Sequence, residues 1–315
     1  MPRAETPPAG RAPRVAFVTV SYGSGNALGP FLSSLRRFHS PEHPVVVVDN
    51  KPDHESAEAL AAQYGARYVP LPENPGYGAG MNAGVRALEE GGERDCDAYF
   101  FCNPDVTFTQ ETATALAAAM LSQPGVGSIG PRLFNDDGTV YPSARNIPSV
   151  GTGVGHALLG RVWRGNPWTR AYQDAANYDS ARSAGSLSGA AVMVRADVYR
   201  EIGGWDEAYF MHFEDIDLGF RIGLAGYENR YDPSVSVVHS GAHSTKKHAE
   251  AVERAMTDSA VRFMGKRYPG PLRAPIRWAI TLGLRARGAL KLASIRRSSA
   301  RDRPSRSHSG GPNYT

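Results

Sequence analysis

Pro44-Val-Val-Val-Val-Asp49-Asn50 decides the fold: four consecutive valines, opened by a proline and closed by two polar residues. An apolar β-branched run of strand length reads as a strand buried on both faces, as inside a parallel sheet. Asp49-Asn50 then stand at its carboxyl end, where ligands bind in open α/β sheets. Working outward, Val15–Ser21 is a second such strand, with a helix over residues 27–39 between the two. A helix near 54–64, a short strand at 67–71, a helix over 79–90, a strand at 98–102 and a helix from about 110 to 121 continue the pattern. The alternation predicts an α/β fold with a mostly parallel central sheet flanked by helices. Its ligand crevice would be edged by Ser21-Tyr22, Asp49-Asn50 and Asn103-Pro-Asp105.

Beyond Val126 the pattern changes. Residues 131–185 are rich in Gly, Pro, Asn, Arg and Trp and read mostly as loop, a length that in compact domains points to function or mobility. Ser186–Val194 restores a strand, and a strand pair at 227–231 and 235–239 closes on His239. Helices are expected over 249–267 and 276–293, the second with Trp278, Leu282, Ala286, Ala289, Leu290 and Ala293 on one face. Residues 1–13 read as a disordered leader and the Ser/Arg/Pro/Gly-rich end as a disordered tail.

The 315 residues are 41% hydrophobic and 21% charged, which excludes wholesale disorder. Cys96 and Cys102, the two cysteines, form no metal-ligand pattern with the histidines and suit a reducing compartment. No secretory signal opens the chain, and no apolar run has the length of a membrane span. The net charge of +4 hides an asymmetry. From Arg262 to Arg306 there are 13 Lys or Arg and one acid, Asp302, while the remainder carries 22 basic and 30 acidic residues. A basic end on an acidic body implies a polyanionic neighbour. Without a zinc-finger, RRM or helix-turn-helix pattern, an anionic membrane surface is expected there rather than nucleic acid.

Trp205-Asp-Glu-Ala-Tyr-Phe-Met-His-Phe-Glu-Asp-Ile-Asp-Leu-Gly-Phe-Arg221 sets three carboxylates behind a cluster of aromatic residues. With a helix beginning near Glu214, Asp217 and Arg221 stand at i and i+4 and can pair. Asp215 falls in the first turn, free to point into a cleft and take a proton from a hydroxyl. The plainer alternative is an acidic helix start suited to the macrodipole. Asn74-Pro-Gly-Tyr-Gly-Ala-Gly-Met-Asn-Ala-Gly84 contains a nominal dinucleotide fingerprint, but it follows the third strand rather than the first. It reads better as a loop against which a base or ribose lies, with Asn74, Tyr77 and Asn82 as polar contacts. A tight turn into a helix is the alternative. Asp105 ends an apolar strand and could hold a divalent cation on a diphosphate, or merely turn the chain. His239 ends another strand and could complete a metal site.

Together, Asp49-Asn50, the 74–82 loop, Asn103-Pro-Asp105, Ser188–Arg195, Gly203–Glu207, Glu214–Leu218 with Arg221, and His239 resemble the family 2 glycosyltransferases, over roughly residues 14–245. Asp137–Arg145, Asn166–Tyr172, Ala242–Thr245 and Arg273–Trp278 narrow the likeness to the actinobacterial linker-unit rhamnosyltransferases. The resemblance implies a GT-A fold: a nucleotide-binding half of about 14–125 and an acceptor-binding half of about 126–245 in one catalytic domain. A helical, basic, membrane-proximal extension over 246–295 and the tail 296–315 would follow. It implies an inverting transferase moving L-rhamnose from dTDP-L-rhamnose to a polyprenyl-diphospho-GlcNAc lipid, with another nucleotide sugar and glycan as the alternative. Asp215 would be the base, with Glu214 and Asp217 supporting it. Ser21, Tyr22, Asp49, Asn50, Asn74, Gly76, Tyr77, Asn82, Asn103, Asp105 and Arg221 would meet the donor. Arg145, Trp205 and Asp206 would meet the acceptor, and Asp105 with His239 would bind Mg²⁺ or Mn²⁺. Asn103 stands where the family's metal motif usually has its first acid. The protein is expected in the cytoplasm, at the inner face of the plasma membrane, and association of copies is left open.

Overall fold

Side-chain alternation along the first strand explains the layers. β1 (Val15–Ser21) is followed by α1 (Gly25–Phe38), β2 (Val45–Asp49), α2 (Ser56–Gln63), β3 (Arg67–Pro70), α3 (Tyr77–Glu90) and β4 (Ala98–Cys102). Val15 and Phe17 join a hydrophobic cluster with Leu28, Phe31, Leu32 and Leu35 of α1, whereas Ala16, Val18 and Val20 join another with Met81, Val85 and Leu88 of α3. Successive strand residues point to opposite faces, so a strand apolar throughout needs cover on both. Each fully buried Val, Leu or Phe contributes roughly 1.5–3 kcal/mol.

The structure, a computed structural model, describes residues 11–52, 56–148, 163, 166–167, 178–241 and 249–301, without the side chains of 299–301. Of the expected leader and tail, residues 1–10 and 302–315 lie outside the described residues, as do 149–162, 164–165 and 168–177 of the expected 131–185 loop, while 296–301, expected in the tail, are helical. The chain separates into two compact units, Met1–Ala242 and His243–Thr315.

In the first unit the chain continues through β5 (Val106–Phe108), α4 (Ala113–Leu121), β6 (Val126–Phe134), β7 (Val140–Tyr141), β8 (Ala144–Arg145), β9 (Arg182–Ala184), β10 (Ser186–Leu187) and β11 (Ala191–Arg195). Then come α5 (Ala196–Glu201), α6 (Glu214–Leu224) and β12 (Glu228–His239). A 10-stranded sheet has the main order β3-β2-β1-β4-β11-β6-β12-β5. The strands β1 to β4, β6 and β12 share one direction, and β11 and β5 run against it. The sheet is thus mostly parallel, as its apolar runs imply. The amino end of β11 therefore meets the carboxyl ends of β1, β2, β4 and β12 along one edge.

Three expectations are corrected. No strand is expected at β6 from the sequence, and its last four residues fall in the stretch read mostly as loop; its apolar content is thinned by Gly127, Gly130 and Pro131, yet it is buried through Leu133 apart from half-buried Arg132. The expected strand pair near 227–239 is one strand, β12, with a register shift between Asp232 and Ser236 where Pro233 interrupts the ladder. The single strand expected over 186–194 is broken at Ser188–Ala190, which sets Gly189 at the crevice edge.

The expected 74–82 loop is also corrected, to a turn at residues 74–76 that enters α3 at Tyr77, so Gly78, Gly80 and Gly84 are helical, and the last two serve close packing. A Cβ on Gly80 would lie 2.8 Å from Val20 Cγ2, and one on Gly84 would overlap Val18 Cγ1. These positions, one turn apart, let α3 lie flat on the sheet, and the segment follows β3 rather than the first strand where a dinucleotide fingerprint belongs. Gly84→Val should cost about 3 kcal/mol by overpacking and lower the thermal midpoint by several degrees. Gly125→Ala, whose Cβ would meet nothing within 4 Å, is the control that should stay near wild type.

Candidate active site

A latch between distant segments builds the crevice. Asn50 Nδ2 donates to Asn74 Oδ1 and to the Gly76 carbonyl, each at 3.1 Å, so the residue following β2 holds the turn that enters α3. Asn74 has φ 44° and Gly76 φ 100°. At Gly76 a side chain would run into the Phe210 backbone, whose Cα would be 2.9 Å from the added carbon. The Tyr77 N–H donates to that same Phe210 carbonyl at 3.2 Å. The loop entering α3 is thereby joined to the segment preceding α6.

Tyr77 makes the second join. Its hydroxyl donates to the Gly189 carbonyl at 2.6 Å, while the Gly189 N–H donates to Asp215 Oδ2 at 3.3 Å. A Cβ on Gly189 would contact both Tyr77 and Asp215. Burial pushes the Tyr77 phenol well above its ordinary pKa, and Cys102, Glu214, Asp215 and Asp105 add to the effect. The glycine loop, the end of β4 and the acidic helix start thus converge on one phenol.

At the start of α6, His212 and Phe213 both have left-handed backbones, φ 64° and 67°. Such non-glycine conformations cost roughly 1–3 kcal/mol each and gather at functional sites. They turn the chain so that Glu214 and Asp215 enter the first helical turn side by side. The two acids differ sharply in environment. Glu214 is 9% exposed, its Oε2 has no hydrogen-bond partner, and desolvation, then the charge of Asp215, raises its pKa to about 8. Asp215 is only partly buried, with Oδ1 held by the Ile216 N–H at 2.8 Å. At neutral pH Glu214 is therefore mainly a carboxylic acid, and Asp215 is the acid of the pair with access to the crevice.

Asp217 and Arg221 pair as their spacing predicts, Nε to Oδ2 at 2.6 Å, with Asp217 wholly buried. Arg221 also donates to the carbonyls of Ile202 and Gly204 at 2.9 and 2.7 Å. Its expected contact with the donor is withdrawn, because the guanidinium holds the turn that leads to Trp205. Asn82 is corrected for the same reason. Its Nδ2 donates to the Trp205 carbonyl and to Glu207, both at 2.9 Å, and its Oδ1 accepts from the Trp205 N–H and the Tyr199 hydroxyl. Every donor and acceptor of that amide is used. Trp205, expected at the acceptor, is 2% exposed and packs edge-on against Tyr77 and Phe101. Asp206 is partly buried and caps its own turn through the Ala208 N–H at 3.0 Å.

Around the other end of the crevice, Asp49 is wholly buried and accepts from the Lys51 N–H at 3.0 Å and the Tyr68 hydroxyl at 3.1 Å. Burial, then the Asp49 charge, pushes the Tyr68 phenol up to about 12. Ser21 is buried and its Oγ accepts from the Ser24 N–H at 3.3 Å. Tyr22 is exposed, with the Lys51 ammonium 5.7 Å from its ring centre. It is the aromatic face at this edge able to stack on a base.

β5 and β12 pair Val106 with His239, which brings Asp105 beside that histidine. His239 Nε2 lies 3.3 Å from Asp105 Oδ1 and 3.3 Å from Asn103 Nδ2. Asp105 Oδ1 is buried without a hydrogen-bond partner. Two lone-pair atoms facing each other across this distance repel unless a proton or cation lies between them, and O and N donors suit Mg²⁺ or Mn²⁺. The residues therefore fit a divalent cation. Glu93, Asp95 and Cys96 also gather among the described residues, but Arg14 is ion-paired with both of those carboxylates and fills that place.

Arg145 connects to the same end. It donates through Nη2 to the Tyr141 hydroxyl at 2.9 Å, and the Tyr141 ring stands edge-on to His239 at 5.6 Å. Tyr141 and Gly189 were given no role from sequence. Both stood within motifs that carry the family resemblance, Gly189 in Ser188–Arg195 and Tyr141 in Asp137–Arg145, but neither residue type signals its contact on its own.

A family model described as glycosyltransferase-like family 2 matches residues 13–257. The N-acetylglucosaminyl-diphospho-decaprenol L-rhamnosyltransferase of Mycobacterium tuberculosis is 38% identical over 291 residues, covering 90% of this chain and 95% of the relative. Rhamnosyltransferase WbbL of Escherichia coli K12 is 24% identical, covering 80% and 93%. Among solved structures, the Pyrobaculum calidifontis mannosyltransferase PcManGT, in complex with GDP-Man and Mn²⁺, superposes with TM-score 0.53 at 16% identity, covering 93% of this chain and 76% of that one. At that identity the likeness supports the GT-A fold alone.

The raised Glu214 pKa has a pH signature. A carboxyl whose folded pKa exceeds its unfolded one lends stability below the unfolded value of about 4.5, and that stability is lost as pH rises through about 8. Thermal midpoints of the wild type should therefore fall more steeply between pH 5 and pH 8 than those of Glu214→Gln. Parallel curves would count against the protonated glutamic acid.

Proposed function

The chain belongs to glycosyltransferase family 2, and from that premise we propose that it transfers L-rhamnose from dTDP-L-rhamnose to a polyprenyl-diphospho-GlcNAc acceptor, with inversion. The substrate assignment is supported by the mycobacterial relative, 38% identical over 90% of this chain. The chemistry is supported by one geometric observation: Gly189 links Tyr77, the hub of the glycine loop, to Asp215 in two hydrogen bonds.

In this reading Tyr22 stacks on the base, and Asn50 and Gly76 keep the loop shaped for the nucleoside. The partly exposed Asp215 carboxylate removes the proton from the acceptor hydroxyl. The oxygen attacks the anomeric carbon, the bond to the diphosphate breaks, and the nucleoside diphosphate leaves from the opposite face. Glu214, held as a neutral acid, adds no second negative charge beside the base. Asp105 and His239 would hold a divalent cation, which offsets the charge gathering on the leaving diphosphate. Arg145, held by the Tyr141 hydroxyl, adds a positive charge at the same end of the crevice as Asp105 and His239. Cys96 and Cys102 are free thiols, in keeping with a place on the cytoplasmic side of the membrane.

The deciding experiment is transfer from dTDP-L-rhamnose to a short-chain polyprenyl-diphospho-GlcNAc, with and without EDTA, read by mass. A rhamnosylated lipid is expected, and its absence with folded protein would void the substrates. Other nucleotide sugars tested in competition would then identify the donor. Asp215→Asn should lower turnover about 10²–10⁴-fold with dTDP affinity kept; near-wild-type turnover would remove Asp215 from the role of base. Asp105→Ala should abolish the dependence of dTDP affinity on added Mn²⁺, measured by calorimetry. An unchanged metal response would remove Asp105 from the cation site.

A further inference from the structure

In the second unit α7 (Ala249–Arg267) and α8 (Ala274–Arg301) pack as an antiparallel hairpin. Three contacts fix which side of α8 faces its partner. Gly288 is the point of closest approach, where a Cβ would lie 2.5 Å from Thr257 Oγ1. Glu253, 2% exposed, is ion-paired with Lys291, and Arg287 stands 4.0 Å from its other oxygen. Arg296, whole turns from Trp278 and so in line with it at about 100° per residue, reaches round from the other side to pair with Glu250 at 2.9 Å. Ile280, at 8% exposure, lies on this inward side. Ile280, Leu284 and Leu292, which blur the helical pattern in the sequence, are the buried or half-buried positions.

The opposite side is left bare. Trp278, Leu282 and Leu290 are 71%, 72% and 75% exposed, and Leu272, in the turn before α8, is 95% exposed. At about 100° per residue Trp278, Leu282, Ala286, Ala289 and Ala293 form one stripe with Leu290 at its border. Arg285 and Arg297 flank that stripe, and with Arg273 they are exposed without a carboxylate partner among the described residues. Contiguous exposed apolar surface marks a docking site.

We propose that this face of α8 lies in the interface of an anionic lipid bilayer, with Trp278, Leu282 and Leu290 inserted at headgroup depth and Arg273, Arg285 and Arg297 on acidic lipid headgroups. Charge decides the occupant. A second copy would set the same cations face to face, whereas an anionic surface pairs with them while the acyl boundary takes the stripe. No described helix is long and apolar enough to cross a membrane, so contact is along the surface. The inference rests on the proposed function only in giving the enzyme access to a lipid-borne acceptor.

The test is co-sedimentation of the full chain with vesicles of phosphatidylcholine, alone or mixed with phosphatidylglycerol, at low and high salt. Binding is expected to the mixed vesicles alone and to weaken with salt. The double variant Trp278→Glu, Leu282→Glu should lose at least about tenfold in partition. The triple variant Arg273→Gln, Arg285→Gln, Arg297→Gln should lose about a hundredfold, at roughly fivefold per cation. Circular dichroism checks that both keep their helix content, and Arg254→Gln on α7 keeps vesicle binding as the control. Absence of wild-type binding, equal binding by all variants, or a dimer dissolved by the double variant in place of vesicle binding would each overturn the proposal. The assay contains neither nucleotide sugar nor glycolipid, so its outcome is independent of the transfer reaction.

Discussion

The buried pair of Asp217 and Arg221 is the constraint on which the crevice depends. An ionised carboxylate with no solvent access costs several kcal/mol unless its partner and hydrogen bonds are well placed. Here Arg221 satisfies it from one helical turn away and also takes the carbonyls of Ile202 and Gly204. Helix α6 is thus tied to the turn that carries Trp205. Trp205 meets Tyr77, and Tyr77 meets Gly189 beside Asp215. One buried acid thus helps set the position of its partly exposed neighbour in the same helical turn.

The neighbouring acids show how one helix start can hold groups of opposite character. Glu214 and Asp215 are adjacent in sequence and differ by one methylene, yet one is enclosed and protonated and the other borders the crevice. Two ionised carboxylates side by side in a dry site would oppose each other. Enclosing Glu214 removes that opposition. The left-handed His212 and Phe213 are the strained connection that makes the arrangement reachable.

Much of this was legible in the sequence. All-valine and all-apolar runs announced the sheet, and the i,i+4 spacing of Asp217 and Arg221 announced their pair. The nearness of Asp105 to His239 was not in any local pattern. It came from the family resemblance, since the register of β5 on β12 joins residues far apart in the chain. Asn82 and Trp205 were misread because a buried amide and a buried indole look in sequence like a polar contact and an exposed aromatic. Their partners, across more than a hundred residues, make them structural. β6 was missed because glycines and a proline diluted the apolar signal of a strand whose burial is set by its neighbours.

Gly76 carries a consequence for how such a protein can change. Its bare Cα lets the loop at the nucleotide end touch the Phe210 carbonyl, two residues before the strained turn into α6. The two ends of the crevice therefore share a single seam. Sequence drift that reshapes the turn at Gly76 reaches the start of α6 through the same few atoms. Compensating changes would have to arise on both sides of that seam together, about 130 residues apart in the chain. A change at either side of the seam is thus felt at the other, and the two segments are bound to change as a pair.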